Sequence, residues 1–192
     1  MSELKAAKDV LRKKFLAVRA ALSPVEHLVL NGAIAARIMA LPEFIAADTV
    51  VGYASDGNEP DVRSVLENAR IVGKKIALVR YDKTEKSYEP VEISSFQDDL
   101  EVAKFGLLEP KAGLKQAVLS ADSLWLVPAV AFDKTGTRLG RGGGFYDRML
   151  KDVKIPPVAV IYSCQLSDSP LPGTLHDVKM GTVVTEREVI IC

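Results

Sequence analysis

The sequence predicts an α/β fold: a mostly parallel central sheet with helices on both faces, in a single domain spanning residues 1–192. Three observations point there. Apolar, β-prone runs alternate with helical segments, as crossovers between parallel strands require. The strand candidates are short and apolar, as in a sheet covered on both sides. No repeat, low-complexity tract or long proline or glycine linker divides the chain.

In chain order, Leu4, Leu11, Phe15, Val18 and Leu22 share one stripe at helical spacing, which predicts an amphipathic helix over residues 3–21. Ser23, Pro24 and Glu26 form a capping-box signature with proline at the first helical position, opening a second helix that runs to about Leu41. Thr49–Tyr53 reads as a strand, Asp61–Ile71 as a helix stopped by Gly73, and Lys75–Val79 as a buried strand. After a more polar stretch from Tyr81 to Asp99, Leu124–Phe132 and Val158–Tyr162 are further strands. A glycine-rich loop and a short helix separate them.

The composition narrows the function. Lysine plus arginine equals aspartate plus glutamate at 25 each, so the chain lacks the basic excess of a nucleic-acid coat, and any anion site is local. No apolar run approaches a membrane span. The basic amino terminus lacks the apolar stretch of a secretory signal, and Cys164 and Cys192 form no CxxC pair. A cytoplasmic protein with reduced thiols is expected.

The most informative stretch is Asp133–Arg148, DKTGTRLGRGGGFYDR, where Gly140, Gly142, Gly143 and Gly144 surround Arg141 just after an apolar strand. Glycines permit positive φ and let backbone N–H groups approach a ligand closely, which suits phosphate, and Arg138 and Arg141 add charge. Neither a Walker loop nor the dinucleotide fingerprint fits. No Lys-Ser/Thr pair closes the loop, and Phe145 stands where the dinucleotide pattern needs glycine. A solvated flexible turn is the bland alternative, opposed by the flanking Arg, Phe-Tyr and Asp residues.

The run Leu126–Asp133, Gly136 and Arg138–Arg148 resembles the signature of the 5-formyltetrahydrofolate cyclo-ligase family. Similar features extend from Lys8 and Arg12 through Glu59, Gly106 and Glu109-Pro110 to His176-Asp177 and Val184-Thr185, nearly the whole chain. The resemblance implies a three-layer α/β/α fold, ATP as co-substrate, Mg2+, and conversion of 5-formyltetrahydrofolate to 5,10-methenyltetrahydrofolate with release of ADP and phosphate. It also implies roles. Lys8, Arg12, Arg138, Leu139, Gly140, Arg141, Gly142, Gly143, Gly144, Phe145 and Tyr146 would hold ATP. Ala54, Glu59 and the loop from Arg141 to Phe145 would contact the folate. Arg141 and Tyr146 would serve catalysis, and Asp147 and Asp177 the metal.

Each residue also has an ordinary reading. Lys8, Arg12 and Arg19 project to one side of the first helix and could be cations snorkelling along apolar surface, with Arg19 the weaker, structural candidate. Glu59 could be a loop carboxylate near a helix start, and Asp147 could complement its short helix. Carboxylates together with phosphate oxygens nonetheless suit an octahedral magnesium site. His27 reads as a helix-surface residue, and His176 inherits no role. Phe145 stands where the family often has tyrosine, so a phenol hydroxyl must come from Tyr146 or elsewhere. Arg80 replaces a common proline. A sugar-phosphate isomerase or acyl-transfer relative would also use glycine loops and basic residues, and a folate- or nucleotide-binding protein without turnover is the non-enzymatic alternative. A monomer that binds neither nucleic acid nor membrane is expected.

Overall fold

The computed structural model describes residues 2–192 apart from Lys83, Lys104, Phe105, Asp152 and His176. His176 therefore lies outside the described residues. Helix α1 (Ser2–Ala20) leads into α2 (Pro24–Met39), α3 (Pro42–Ala46) and strand β1 (Thr49–Gly52), followed by α4 (Arg63–Ile71) and β2 (Lys75–Asp82). The order continues with β3 (Ser87–Ile93), β4 (Leu100–Val102), β5 (Leu108–Pro110), β6 (Leu124–Pro128), β7 (Ala131–Asp133) and β8 (Arg138–Leu139). Then come α5 (Phe145–Leu150), β9 (Val158–Val160), β10 (Leu166–Ser167), β11 (Thr182–Val184) and β12 (Val189–Ile191).

The main sheet has seven strands in the order β12-β11-β9-β6-β1-β2-β3. Its five inner strands run parallel, and β3 and β12 pair antiparallel at the edges. The period-2 alternation of buried strands divides their side chains between two clusters. Val50, Ile76, Leu126 and Val160 pack with Ile34 and Ile38 of α2 and Val65 and Leu66 of α4. Val51, Ala77, Trp125, Val127 and Ala159 pack with Leu150 of α5 and Phe132 of β7. The result is the expected mixed α/β arrangement around a large, mostly parallel sheet. Its second face carries one short helix and a small three-stranded sheet, β10-β7-β8.

The capping box at α2 is formed as expected. The Ser23 Oγ accepts the Glu26 N–H at 3.3 Å, and Glu26 Oε2 accepts the Ser23 N–H at 2.8 Å. Gly73, at φ 83°, ends the turn after α4.

Three expectations need correction. Leu4 and Val18 of the apolar stripe are largely exposed, whereas Phe15 and Arg19 are buried and Lys8 and Arg12 half-buried. Helix α1 turns Lys8 and Arg12 toward a cavity bordered by the glycine loop, while its Phe15 packs into a small apolar cluster with Val130, Leu139 and Leu171. The single strand expected over 124–132 breaks in two. Pro128 carries no N–H to extend the ladder, and the fully buried Gln165 donates Nε2 to the carbonyls of Ala129 at 2.8 Å and Val130 at 3.0 Å. Finally, the polar stretch after Tyr81 contains β3, registered against β2 by an Arg80–Glu89 ion pair at 2.6 Å.

Candidate active site

A cavity of about 1000 Å³ opens at the carboxyl ends of β1 and β6, bordered by Tyr53, Ala54, Pro128 and Val130. Chain order reverses at this point. From β1 the next strand lies on one side, while β6, β9 and β11 lie on the other. Such switch points are where open α/β sheets bind ligands. The structure brings Lys8, Arg12, Ala54, Glu59, the run from Arg138 to Asp147 and Asp177 to this one cavity, whereas Arg19 is not among its lining residues.

One end is basic and rich in backbone. Lys8 Nζ donates to Asp177 Oδ2 at 2.9 Å. Arg12 Nε donates to the Gly140 carbonyl at 2.8 Å, and its Nη1 to Asp9 Oδ1 at 2.5 Å, so α1 holds the glycine loop in place. Gly142 has φ 101°, and a Cβ there would lie 3.3 Å from the Arg12 guanidinium. The positive φ requires glycine, and an added Cβ would also crowd the Arg12 guanidinium. Arg138 Nη2 donates to Asp147 Oδ1 at 2.9 Å, and its guanidinium lies 5.4 Å from the Tyr146 ring centroid. Leu139 packs beside Phe15 in an apolar cluster and gives its carbonyl to the Val130 N–H, so it offers a ligand no polar side chain.

The other end carries carboxylates and rings. The loop after β1 is folded on itself: Ser55 Oγ donates to the Glu59 carbonyl at 2.8 Å, and Asp56 Oδ1 accepts the N–H groups of Asn58 and Glu59, each at 2.9 Å. Arg141 Nη2 bridges Asp56 Oδ2 and Glu59 Oε1, the latter at 3.0 Å. Burial, reinforced by the charge of Asp56, pushes the Glu59 carboxyl above its usual value against the pull of Arg141 and Arg19. Asp56 is held low, because hydrogen bonds from Asn58 and Arg141 outweigh its burial. Tyr88 packs edge-on against Phe145, with centroids 4.9 Å apart, and both rings line the cavity. Burial raises the Tyr146 phenol far above its ordinary value, so it stays protonated.

Asp147 and Asp177 are carboxylates of the kind magnesium takes, each paired in this structure with a cation, Arg138 and Lys8 respectively. They supply hard oxygen donors beside the glycine loop. Hydrogen bonds from Lys8 and Thr174 outweigh burial and hold Asp177 below the usual carboxylate value, so it is ionised. No cluster of three or more His, Cys, Asp or Glu exists among the described residues, so this is no all-protein metal cage. Magnesium commonly takes one or two carboxylates and completes its shell with phosphate oxygens and water.

Sequence reasoning missed Asp56 and Tyr88, and kept Arg19 only as a weaker, structural candidate without its partners Asp56 and Glu59. Tyr88 was hidden in the stretch that forms β3, while Asp56 sits in the same loop as Glu59 and could have been read with it. His27 is not a simple surface residue: its Nδ1 lies 2.8 Å from the Tyr162 hydroxyl, and the two rings meet edge-on.

A small-molecule cavity at a topological switch point marks a ligand-binding α/β protein. The model of the 5-formyltetrahydrofolate cyclo-ligase family matches residues 4–186, and the chain belongs to that family. It is 32% identical over 181 residues to the 5-formyltetrahydrofolate cyclo-ligase of Escherichia coli K12, covering 89% of this chain and 96% of the relative. It is 33% identical over 152 residues to that of Mycolicibacterium smegmatis, covering 77% of this chain and 78% of the relative. The solution structure of Aquifex aeolicus 5,10-methenyltetrahydrofolate synthetase superimposes with a TM-score of 0.82 at 34% identity, covering 96% of this chain and 92% of that one. The enzyme is accordingly a ligase.

Proposed function

We propose that the enzyme cyclises 5-formyltetrahydrofolate to 5,10-methenyltetrahydrofolate, consuming ATP and releasing ADP and phosphate through a phosphorylated formyl intermediate. The observation that carries this reading is a single cavity lined both by the Gly140–Gly144 loop with Lys8, Arg12 and Arg138 and by Glu59, Tyr88 and Phe145. The basic end suits a triphosphate. The carboxylate end suits the N–H edge of a pterin, with Phe145 and Tyr88 flanking the ring.

A formamide oxygen is a poor leaving group. In the proposed sequence it attacks the γ-phosphorus of ATP, ADP departs, and the folate N10 then attacks the activated carbon with loss of phosphate. The protein needs no nucleophile. Backbone N–H groups of the loop, Lys8, Arg12 and Arg141 stabilise the charge on the transferring phosphoryl group, while Glu59 holds the ring so that oxygen and phosphorus meet in line. Tyr146, kept protonated, donates to a substrate or phosphate oxygen. Asp147 and Asp177 would hold Mg2+, which neutralises phosphate charge when bound.

The same proposal takes the enzyme to be a cytoplasmic monomer that binds neither nucleic acid nor membrane. Balanced charge and two free cysteines support it, and among the described residues no helix is long and apolar enough to cross a membrane.

The deciding experiment mixes purified protein with 5-formyltetrahydrofolate, ATP and Mg2+ and follows the methenyl product by absorbance. Product is expected only when all three are present. Turnover without nucleotide would remove the phosphorylation step, and nucleotide binding without product would favour a non-catalytic binder.

A further inference from the structure

We propose that Arg19 is a positioning residue for this reaction, taking over the Glu59 carboxylate when Arg141 turns to the phosphates. The inference rests on the functional reading above.

Two arginines share the Asp56–Glu59 pair, and they differ in freedom. Arg141 comes from the glycine loop, and its side chain is 57% exposed. Arg19 comes from the last turn of α1, packed against the 3-10 turn Ser163–Gln165, and its side chain is 3% exposed. Arg19 Nη2 lies 3.5 Å from Asp56 Oδ2, and Nη1 lies 3.7 Å from Glu59 Oε1. These are ion-pair distances that fall short of good hydrogen bonds. Arg19 Nε and Nη1 are buried and have no hydrogen-bond partner among the described residues. Buried unsatisfied donors on a charged group are costly, so a small closing movement of Glu59 onto Nη1 is favoured once its competitor leaves.

That competitor is Arg141, which occupies Glu59 Oε1 at 3.0 Å. Arg141 cannot grip both the carboxylates and a phosphate with the same face of its guanidinium. Its departure would leave Glu59 in a buried place beside the like charge of Asp56, conditions that favour the neutral acid. The other titratable groups near Glu59 are the phenols of Tyr53 and Tyr146, and the Tyr162 hydroxyl lies 3.5 Å from its backbone carbonyl. Burial raises all three phenols, so they stay neutral and supply no positive charge. Arg19 is then the fixed cation that keeps Glu59 ionised and aimed at the pterin edge.

The test is steady-state kinetics across pH on wild type, Arg19→Met, Arg19→Lys, Glu59→Gln and the Arg19→Met/Glu59→Gln double variant. Arg19→Met should raise KM for 5-formyltetrahydrofolate most at the low end of the pH range, approaching roughly tenfold where the pH lies below the Glu59 carboxyl's value and that value shifts by about one pKa unit. KM for ATP should hardly change. The rise should shrink as pH increases and Glu59 ionises without help, and Arg19→Lys should recover most of the wild-type KM. In the Glu59→Gln background, Arg19→Met should add nothing. A pH-independent rise, or one that persists beside Glu59→Gln, would reduce Arg19 to a structural residue and overturn the proposal. Should the methionine variant fail to fold, Arg19→Gln is read by the same criteria. A wild-type KM in Glu59→Gln would instead overturn the folate reading of Glu59 itself, which separates the two failures.

Discussion

Arg141 and Lys13 carry the same formal charge, yet only one belongs to the cavity. Arg141 leaves the glycine loop to bridge two carboxylates, whereas Lys13 is exposed on the far side of α1. Arg141→Ala should lower kcat/KM by roughly 30- to 1,000-fold, the effect of losing one charged transition-state contact worth on the order of 2 to 4 kcal/mol. Lys13→Ala should change little. Comparable activity in the two folded variants would remove Arg141 from phosphoryl transfer. Asp147→Asn and Asp177→Asn should raise the Mg2+ concentration needed for half-maximal rate more than they raise KM for the folate; metal titrations matching wild type would argue against both as ligands. The glycine cluster made this end of the site legible, because such density has few structural uses. Arg19 was not legible in the same way. A helical wheel can show that it borders the core, but its partners Asp56 and Glu59 lie in a loop that only the tertiary fold brings beneath it.

Among the elements, those set by local chemistry were the ones sequence could foresee. The Ser23–Glu26 capping box is reciprocal and complete, so Ser23→Ala should lower Tm by roughly 2 to 4 °C while leaving kinetics unchanged. A thermal melt beside a rate assay checks it, and an unchanged Tm would mean that packing of α2, not its cap, sets the helix start. Strands β1, β2 and β9 were likewise visible as short apolar runs. Tertiary chemistry decided the rest. Residues 124–132 read as one strand because every side chain is apolar, and nothing local reveals that the Gln165 amide, more than thirty residues away, satisfies the carbonyls at the break. Edge strand β3 carries polar residues because only part of it is covered, so the more polar stretch from Tyr81 to Asp99 was assigned no strand. The inward face of α1 was legible in its basic residues but misjudged in its apolar ones, since Leu4 and Val18 keep helical spacing without being buried.

At the scale of the whole molecule, the proposal that residues 1–192 form one cooperative unit predicts a single unfolding transition, with sheet content and ligand binding lost at the same denaturant concentration. Two separated midpoints would divide the chain. The unit would be held together across long sequence distances, and the cavity shows this most clearly: Lys8 and Asp177, which meet at 2.9 Å, are 169 positions apart. A chain still emerging from the ribosome makes α1 well before residues 140–144 and 177, so until those follow the helix has no glycine loop to hold and no Asp177 to pair with. Non-local closures of this kind come late in folding, because the entropy of joining distant segments must be overcome before the contact forms. A chain synthesised only as far as the glycine loop thus lacks Asp177, and the cavity is complete only when the segment that carries it docks against α1.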